Sequence, residues 1–282
     1  MANIALLGTG LLGSAIAEAA AKRGDTVTAW NRSPDKARAL ADFGIRIAVS
    51  AVDAVRGAQR VHLVVKDDTA VEEVIASMRG GLAVDAVVID HSTTLPETTA
   101  ARVARLAAEG MRYLHCPVFM TPMAARATQG SIVAAGPRAV FDAVADDLAK
   151  MTGRLEYLGE RGDAAAATKL FGNALILSLI GTMADMLALA RGSGMSGQDA
   201  IDVARLFDLN AMVATRGGNM AAGRFVLGFE LAMARKDLAL MLETAGSQAL
   251  SVLPGIASRM DALIAAGRGS EDVTILGDGA PR

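Results

Sequence analysis

Between the apolar run at residues 4–7 and an alanine-rich stretch that begins at Leu11, the chain reads Gly8-Thr9-Gly10-Leu11-Leu12-Gly13. This turn constrains the fold more than any other feature. Glycine at position 8 permits a tight turn off a strand, glycine at 10 lets the backbone approach a pyrophosphate, and glycine at 13 lets the following helix lie close on the sheet. The unpaired N–H groups of the helix then face the anion. A glycine-rich strand-to-helix turn that binds nothing is the alternative. The context favours a dinucleotide site: a strand precedes the turn, a helix follows it to about Arg23, and a second strand covers residues 26–30.

That second strand ends where an NAD-specific protein would place an acidic residue to accept from the ribose 2′-hydroxyl. Asn31, Arg32 and Ser33 stand there instead, with Lys36 just beyond. Donors and positive charge without a carboxylate suit a 2′-phosphate, so the expected cofactor is NADP(H). Arg32 alone could equally be a solvated surface charge.

Composition narrows the partners. A chain of 282 residues can bury one large or two medium cores. Its net charge of −2 gives no broad electrostatic reason to expect nucleic acid or an anionic membrane surface. The single cysteine, Cys116, has no internal disulfide partner, and the first residues enter a strand without a secretory pattern, so a cytoplasmic location is expected. Residues 174–190 are the one stretch that looks like a membrane span. They are short for a bilayer and include Asp185, so a buried helix is expected and no membrane partner.

Along the chain, predicted helices and strands alternate to about Gly162, with a short apolar piece at residues 45–49 and strands expected at 61–65, 86–89, 111–114, 131–135 and 154–158. Alternation of this kind implies crossover units and an α/β fold of Rossmann type, a doubly wound, mainly parallel sheet with helices on both faces. Beyond Gly162 only helical runs are found. The expected organisation is therefore a nucleotide-binding domain at residues 1–162 and an all-helical C-terminal domain at 163–282. The long apolar helix of the second domain predicts burial against another copy, hence a homodimer.

Lys169 and Asn173 lie four residues apart and so project from one face of that helix, among Ala164, Leu170, Phe171 and Leu175. A lysine with apolar surroundings loses its proton more readily and can serve in proton exchange. A lysine that snorkels to solvent is the alternative. His91 and His115 each end a predicted strand without a paired carboxylate or cysteine at ligand spacing, so turn or packing roles are preferred. No metal site is expected.

The ordered set of Gly8 to Gly13 with Asn31-Arg32-Ser33, Asp90-His91-Ser92-Thr93, Cys116-Pro117-Val118, Lys169 with Asn173, and Lys236-Asp237-Leu238 resembles the beta-hydroxyacid dehydrogenases, which include 3-hydroxyisobutyrate dehydrogenase and the glyoxylate and tartronate semialdehyde reductases. The resemblance covers nearly the whole chain. It implies an oxidoreductase that moves a hydride between nicotinamide and the carbonyl or hydroxyl carbon of a small hydroxy acid or semialdehyde. Lys169 matches the catalytic lysine, and Asn173 the asparagine that hydrogen-bonds substrate, although the usual asparagine pair is here Gly172-Asn173. Thr93 matches the threonine near the nicotinamide, Lys236 the lysine that closes over cofactor and substrate, and Val65 with Lys66 the cofactor lining after the fourth strand. A turn hydroxyl for Thr93 and a surface pair with Asp237 for Lys236 are the alternatives.

One departure bears on the substrate. Where the family shows Asp-Ala-Pro-Val-Ser-Gly-Gly, this chain reads His115-Cys116-Pro117-Val118-Phe119-Met120-Thr121-Pro122. Phe119 and Met120 would fill space the glycines leave open, and Pro122 has no N–H to give. The N–H groups of Met120 and Thr121, the Thr121 hydroxyl and Arg126 are the remaining candidates to receive an anion; core packing is the alternative for Phe119 and Met120. Two other functions stay in view: reduction of a C=N bond, as in the related imine reductases, which usually replace the lysine, and a cofactor-binding sensor or scaffold without turnover.

Overall fold

A computed structural model describes residues 2–279. Strand β1 (Asn3–Leu7) passes through the glycine turn into α1 (Leu11–Lys22). There follow β2 (Thr26–Trp30), α2 (Asp35–Arg38), β3 (Arg46–Ile47), α3 (Ala51–Val55), β4 (Arg60–Leu63), α4 (Asp68–Met78), β5 (Val87–Asp90), α5 (Pro96–Ala108) and β6 (Arg112–His115). These six strands form one sheet in the order β3-β2-β1-β4-β5-β6, and every pairing is parallel. The order reverses between β1 and β4, which opens a crevice at the carboxyl ends of the strands.

Burial on both faces explains the uninterrupted apolar strands. Ile4, Leu6, Val87 and Ile89 enter one core with Ile16 and Ala20 of α1. Their neighbours Ala5, Leu7 and Val88 point the other way, into a core with Val71 and Ile75 of α4 and Leu106 of α5. The chain is thus the expected Rossmann-type sheet.

The strands expected around residues 131–135 and 154–158 do form, but not in this sheet. After β6, Pro117 offers no N–H to continue the ladder. The chain turns into β7 (Val118–Phe119), α6 (Pro122–Arg126), β8 (Ser131–Ala134), α7 (Arg138–Asp142), α8 (Ala145–Ala149) and β9 (Arg154–Tyr157). Strands β7, β8 and β9 make a separate three-stranded sheet, antiparallel between β7 and β8 and parallel between β8 and β9.

Only helices and turns follow among the described residues: α9 (Ala164–Ser193), α10 (Gly197–Asp202), α11 (Leu209–Met212), α12 (Gly218–Ala221), α13 (Leu231–Ala245) and α14 (Leu253–Ala265). The chain divides into two compact units, residues 1–173 and 174–282, so the division falls inside α9 rather than at Gly162. The reason is packing: Ala165 is buried with Val133 and Ala135 of the smaller sheet, and Ala164 and Phe119 pack on them.

The second unit has its own core, in which Leu231 and Leu238 of α13 meet Met260 and Leu263 of α14 and Ile275. Asp185, the charge within the apolar stretch of α9, is buried and accepts from the N–H groups of Ser251, Val252 and Leu253 at 2.6, 2.9 and 2.9 Å. Burial works to raise its pKa, but the three donors hold the carboxyl below its ordinary value. The expectation that this helix is buried needs correction. Its large apolar side chains at positions 175–180 are exposed in the single chain, from 46% at Ile176 to 67% at Leu177, while Ala188 and Ala190 are buried. By length and composition alone, α9 is long and apolar enough to cross a membrane.

Candidate active site

The glycine turn has the geometry its sequence implies. Gly8 adopts φ +103°, and a Cβ there would lie closer than 3.0 Å to the Val64 carbonyl oxygen. A Cβ at Gly13 would run into the Gly8 carbonyl oxygen in the same way, so α1 can come this close to the turn only without a side chain. Gly10 has open space around it. No side chain caps α1, which leaves its first turn to other acceptors. Thr9, 3% exposed, donates its N–H to Asn31 Oδ1 at 3.0 Å, while its buried hydroxyl oxygen has no partner among the described residues. A polar atom orphaned beside an open glycine and an uncapped helix fits a pyrophosphate acceptor site.

Around the turn lies a cavity of about 720 Å³ at the carboxyl ends of β1, β2, β4 and β5. Of the residues singled out from sequence, Gly8, Gly10, Leu11, Leu12, Gly13, Asn31, Arg32, Ser33, Lys36, Val65, Lys66 and Thr93 all line it. Several lining residues were not foreseen: Trp30, His91, Ser92, and Ala70, Glu73, Val74 and Ser77 of α4. The last four follow the spacing of one helical face, which is the signal that could have found them. A second cavity of about 790 Å³ lies at the opposite edge, lined by Arg23, Arg60 and Asp147 among others. It lacks a glycine turn, and in open parallel sheets ligands bind at the carboxyl ends.

The 2′-phosphate side differs in one respect from expectation. Asn31 accepts from Thr9 N–H and donates from Nδ2 to the Ser33 carbonyl at 3.0 Å, so its amide braces the turn as well as lining the cavity. Arg32 Nη1 lies 3.2 Å from Glu73 Oε2, with both side chains largely exposed. Ser33 and Lys36 are exposed on the cavity wall, and Lys66 pairs with its neighbour Asp67 at 3.1 Å.

On the other side, a hydrogen-bonded shelf follows β5. Asp90 accepts from Ser92 N–H at 2.9 Å and from the Tyr113 hydroxyl at 2.7 Å, and Ser92 Oγ accepts from Val65 N–H at 3.1 Å. These bonds present Thr93, which is exposed, to the cavity. His91 Nδ1 lies 2.7 Å from the Cys116 carbonyl oxygen, which can only accept, so Nδ1 carries the proton. Its Nε2 must then accept from His62 Nδ1 at 2.9 Å. His62, His91 and His115 are all buried, and burial lowers the pKa of each.

Lys169 is half-buried near the start of α9. Its Nζ donates to the Val118 carbonyl oxygen at 2.6 Å and sits 4.3 Å from the centre of the Phe119 ring. Among the described residues no carboxylate pairs with it. Burial lowers its pKa below the ordinary lysine value. Asn173, one turn further on, is also half-buried. Met120 packs against the main core, and Thr121 Oγ accepts from Ala124 N–H at 3.2 Å as the cap of α6. Arg126, considered above as an anion contact, is instead bidentate with Glu18 of α1, at 2.6 and 3.0 Å. Lys236, on α13 of the second unit, pairs with the adjacent Asp237 at 2.8 Å. Among the described residues no group of three His, Cys, Asp or Glu side chains could hold a metal ion.

Comparison with known proteins decides the family. Residues 3–159 match the family described as the NAD binding domain of 6-phosphogluconate dehydrogenase. The chain belongs to that family. This 6-phosphogluconate dehydrogenase-like group of pyridine-nucleotide oxidoreductases takes in the beta-hydroxyacid dehydrogenases. The chain is 28% identical over 244 residues to the cytokine-like nuclear factor N-PAC of Xenopus tropicalis, covering 85% of this chain and 46% of that one, so it spans about half the length of that relative. It is 27% identical over 255 residues to glyoxylate/succinic semialdehyde reductase 1 of Arabidopsis thaliana, covering 89% and 88%. The imine reductase from Myxococcus stipitatus in complex with NADP+ superposes with a TM-score of 0.87 at 20% identity, over 98% of this chain and 99% of that one, and so shares the fold.

Proposed function

We propose that this chain is an NADP(H)-dependent reductase that acts on a carbonyl compound such as a small hydroxy acid precursor or semialdehyde, with Lys169 as general acid and base. The carrying observation is the environment of Lys169: an amine without a carboxylate partner, held against a carbonyl oxygen and an aromatic ring, with its pKa lowered by burial. The printed name of the Arabidopsis relative supports a semialdehyde as substrate.

When bound, reduced nicotinamide supplies the hydride. The Thr9 hydroxyl, Gly10 and the first turn of α1 would hold the pyrophosphate, and Arg32, Ser33 and Lys36 the 2′-phosphate. For the 2′-phosphate to pair with Arg32, Glu73 must yield its place. Lys169 gives its proton to the carbonyl oxygen in reduction and takes it back in oxidation. Asn173 donates to the same substrate and sets its angle, while Thr93 borders the nicotinamide from the shelf after β5. Phe119, Met120 and Thr121 form the substrate wall. The exposed apolar side chains of α9 are covered by a second copy of the chain; Ile180→Asp should then yield monomers by light scattering.

Lys169→Ala should lower kcat by about 10²- to 10⁴-fold and leave NADPH affinity nearly unchanged. Steady-state assays on glyoxylate and succinic semialdehyde, beside a fluorescence titration of NADPH, check this. Unchanged turnover removes Lys169 from the mechanism. Because the protonated amine is the donor in reduction, turnover should fall as pH rises through its lowered pKa. NADPH bound tightly without oxidation by any aldehyde, ketone or imine would favour the scaffold reading.

A further inference from the structure

The ring of Phe119 stands where a side chain at position 172 would begin. A Cβ on Gly172 would lie closer than 3.0 Å to both Cε1 and Cζ of that ring. Positions 169 and 172 share one face of α9, and the same ring lies 4.3 Å from Lys169 Nζ. One aromatic side chain therefore fills the space left by glycine and forms the floor beneath the amine.

Most side-chain polar groups of the adjoining loop are already engaged, which leaves the backbone N–H groups of Met120 and Thr121 as its donors. Phe119 pairs through its backbone with Ser131, Thr121 caps α6, and Pro122 has no N–H. Arg126 is the only basic residue between positions 119 and 137, and Glu18 takes its guanidinium in a bidentate pair. Among the described residues of the first unit, a substrate carboxylate against this wall would lose water and find no unpaired cation except Lys169 itself. Pairing there would draw the ammonium away from the carbonyl oxygen it must protonate.

We propose that Phe119 and Gly172 form a matched pair that sets substrate specificity, selecting aldehydes or ketones whose flank beside the carbonyl is uncharged alkyl or aryl. This rests on the reading of Lys169 as proton donor. The pair favours an apolar flank by contact with the ring and by leaving a carboxylate unpaired.

The test compares kcat/KM with NADPH for succinic semialdehyde and for its uncharged methyl ester, in the natural chain and in three variants. The natural chain should prefer the ester by roughly tenfold or more, the order expected when a buried charge lacks its partner. Gly172→Asn alone should lose turnover on both, because the ring blocks the new side chain. Phe119→Ser with Gly172→Asn should restore turnover and shift the preference at least tenfold toward the carboxylate. Phe119→Leu, with NADPH affinity and melting temperature as folding controls, should keep the original preference. Preference of the natural chain for the carboxylate, or a double variant that folds and binds NADPH with unchanged preference, overturns the pairing but leaves the proton-donor reading intact. A natural chain that binds NADPH and reduces neither compound overturns both.

Discussion

The turn at Gly8 to Gly13 and the loop at Phe119 to Pro122 are both short, glycine- or proline-bearing connections after a strand, yet they end in opposite states. In the first, an open glycine, an uncapped helix and a buried hydroxyl stand without partners. In the second, the threonine caps a helix, the nearby arginine holds a glutamate, and a ring fills the space above a glycine. Unmet polarity marks where a ligand with charge must come. A loop whose side-chain polar groups are met discriminates mainly by shape and by apolar contact. Thr9 and Thr121 condense the contrast, since the same side chain is left without a partner among the described residues in one region and caps its own helix in the other.

The sharpest way to break this contrast is Gly8→Val. It combines positive φ with a clash against the Val64 carbonyl, so nucleotide binding should be lost and the melting temperature should drop, as calorimetry with and without NADPH would show. An unchanged NADPH affinity would mean the turn is not the cradle. Arg32→Ala should weaken NADP+ by roughly ten- to a hundredfold, the worth of a charge-assisted hydrogen bond, and barely affect NAD+. Equal losses for the two coenzymes would sink the 2′-phosphate assignment. The smallest effects carry the most information. Thr9→Val should weaken coenzyme several-fold with little change in melting temperature, because its hydroxyl has no partner among the described residues. Thr121→Ala should do the reverse, costing about 1 kcal/mol of stability through the lost cap while NADPH affinity holds. If both threonines behave alike, the distinction between the two regions fails.

The Rossmann sheet and its turn were legible because local sequence dictates both: strands buried on two faces must be apolar throughout, and each glycine answers a backbone requirement. The bracing role of Asn31 was not legible because polarity says nothing about whether a partner is a ligand or the chain itself; it lines the cavity while its amide also serves Thr9 and Ser33. Ala70 and Val74 passed as ordinary core of a helix, and only the fold shows that the same face carries Glu73 and Ser77 into the cavity. The smaller sheet was missed because short apolar runs look alike whichever sheet receives them. The long helix was expected to be buried because it is apolar on most sides, a pattern that a solvent-exposed face awaiting another surface shares. Phe119 and Gly172 each stood out as departures. That they are one change, with the first occupying the room of the second, depends on fifty-odd intervening residues folding back.

The three histidines carry a consequence for kinetics. They are the only histidines in the chain, and all are interior with basicity suppressed by loss of water. The imidazole next to the shelf is locked as one uncharged tautomer by a carbonyl on one side and a second ring on the other. Loss of water thus favours the uncharged form of each of the three imidazoles. A rate that changes with acidity would report on the proposed donor Lys169 or on the compound being reduced, not on an imidazole.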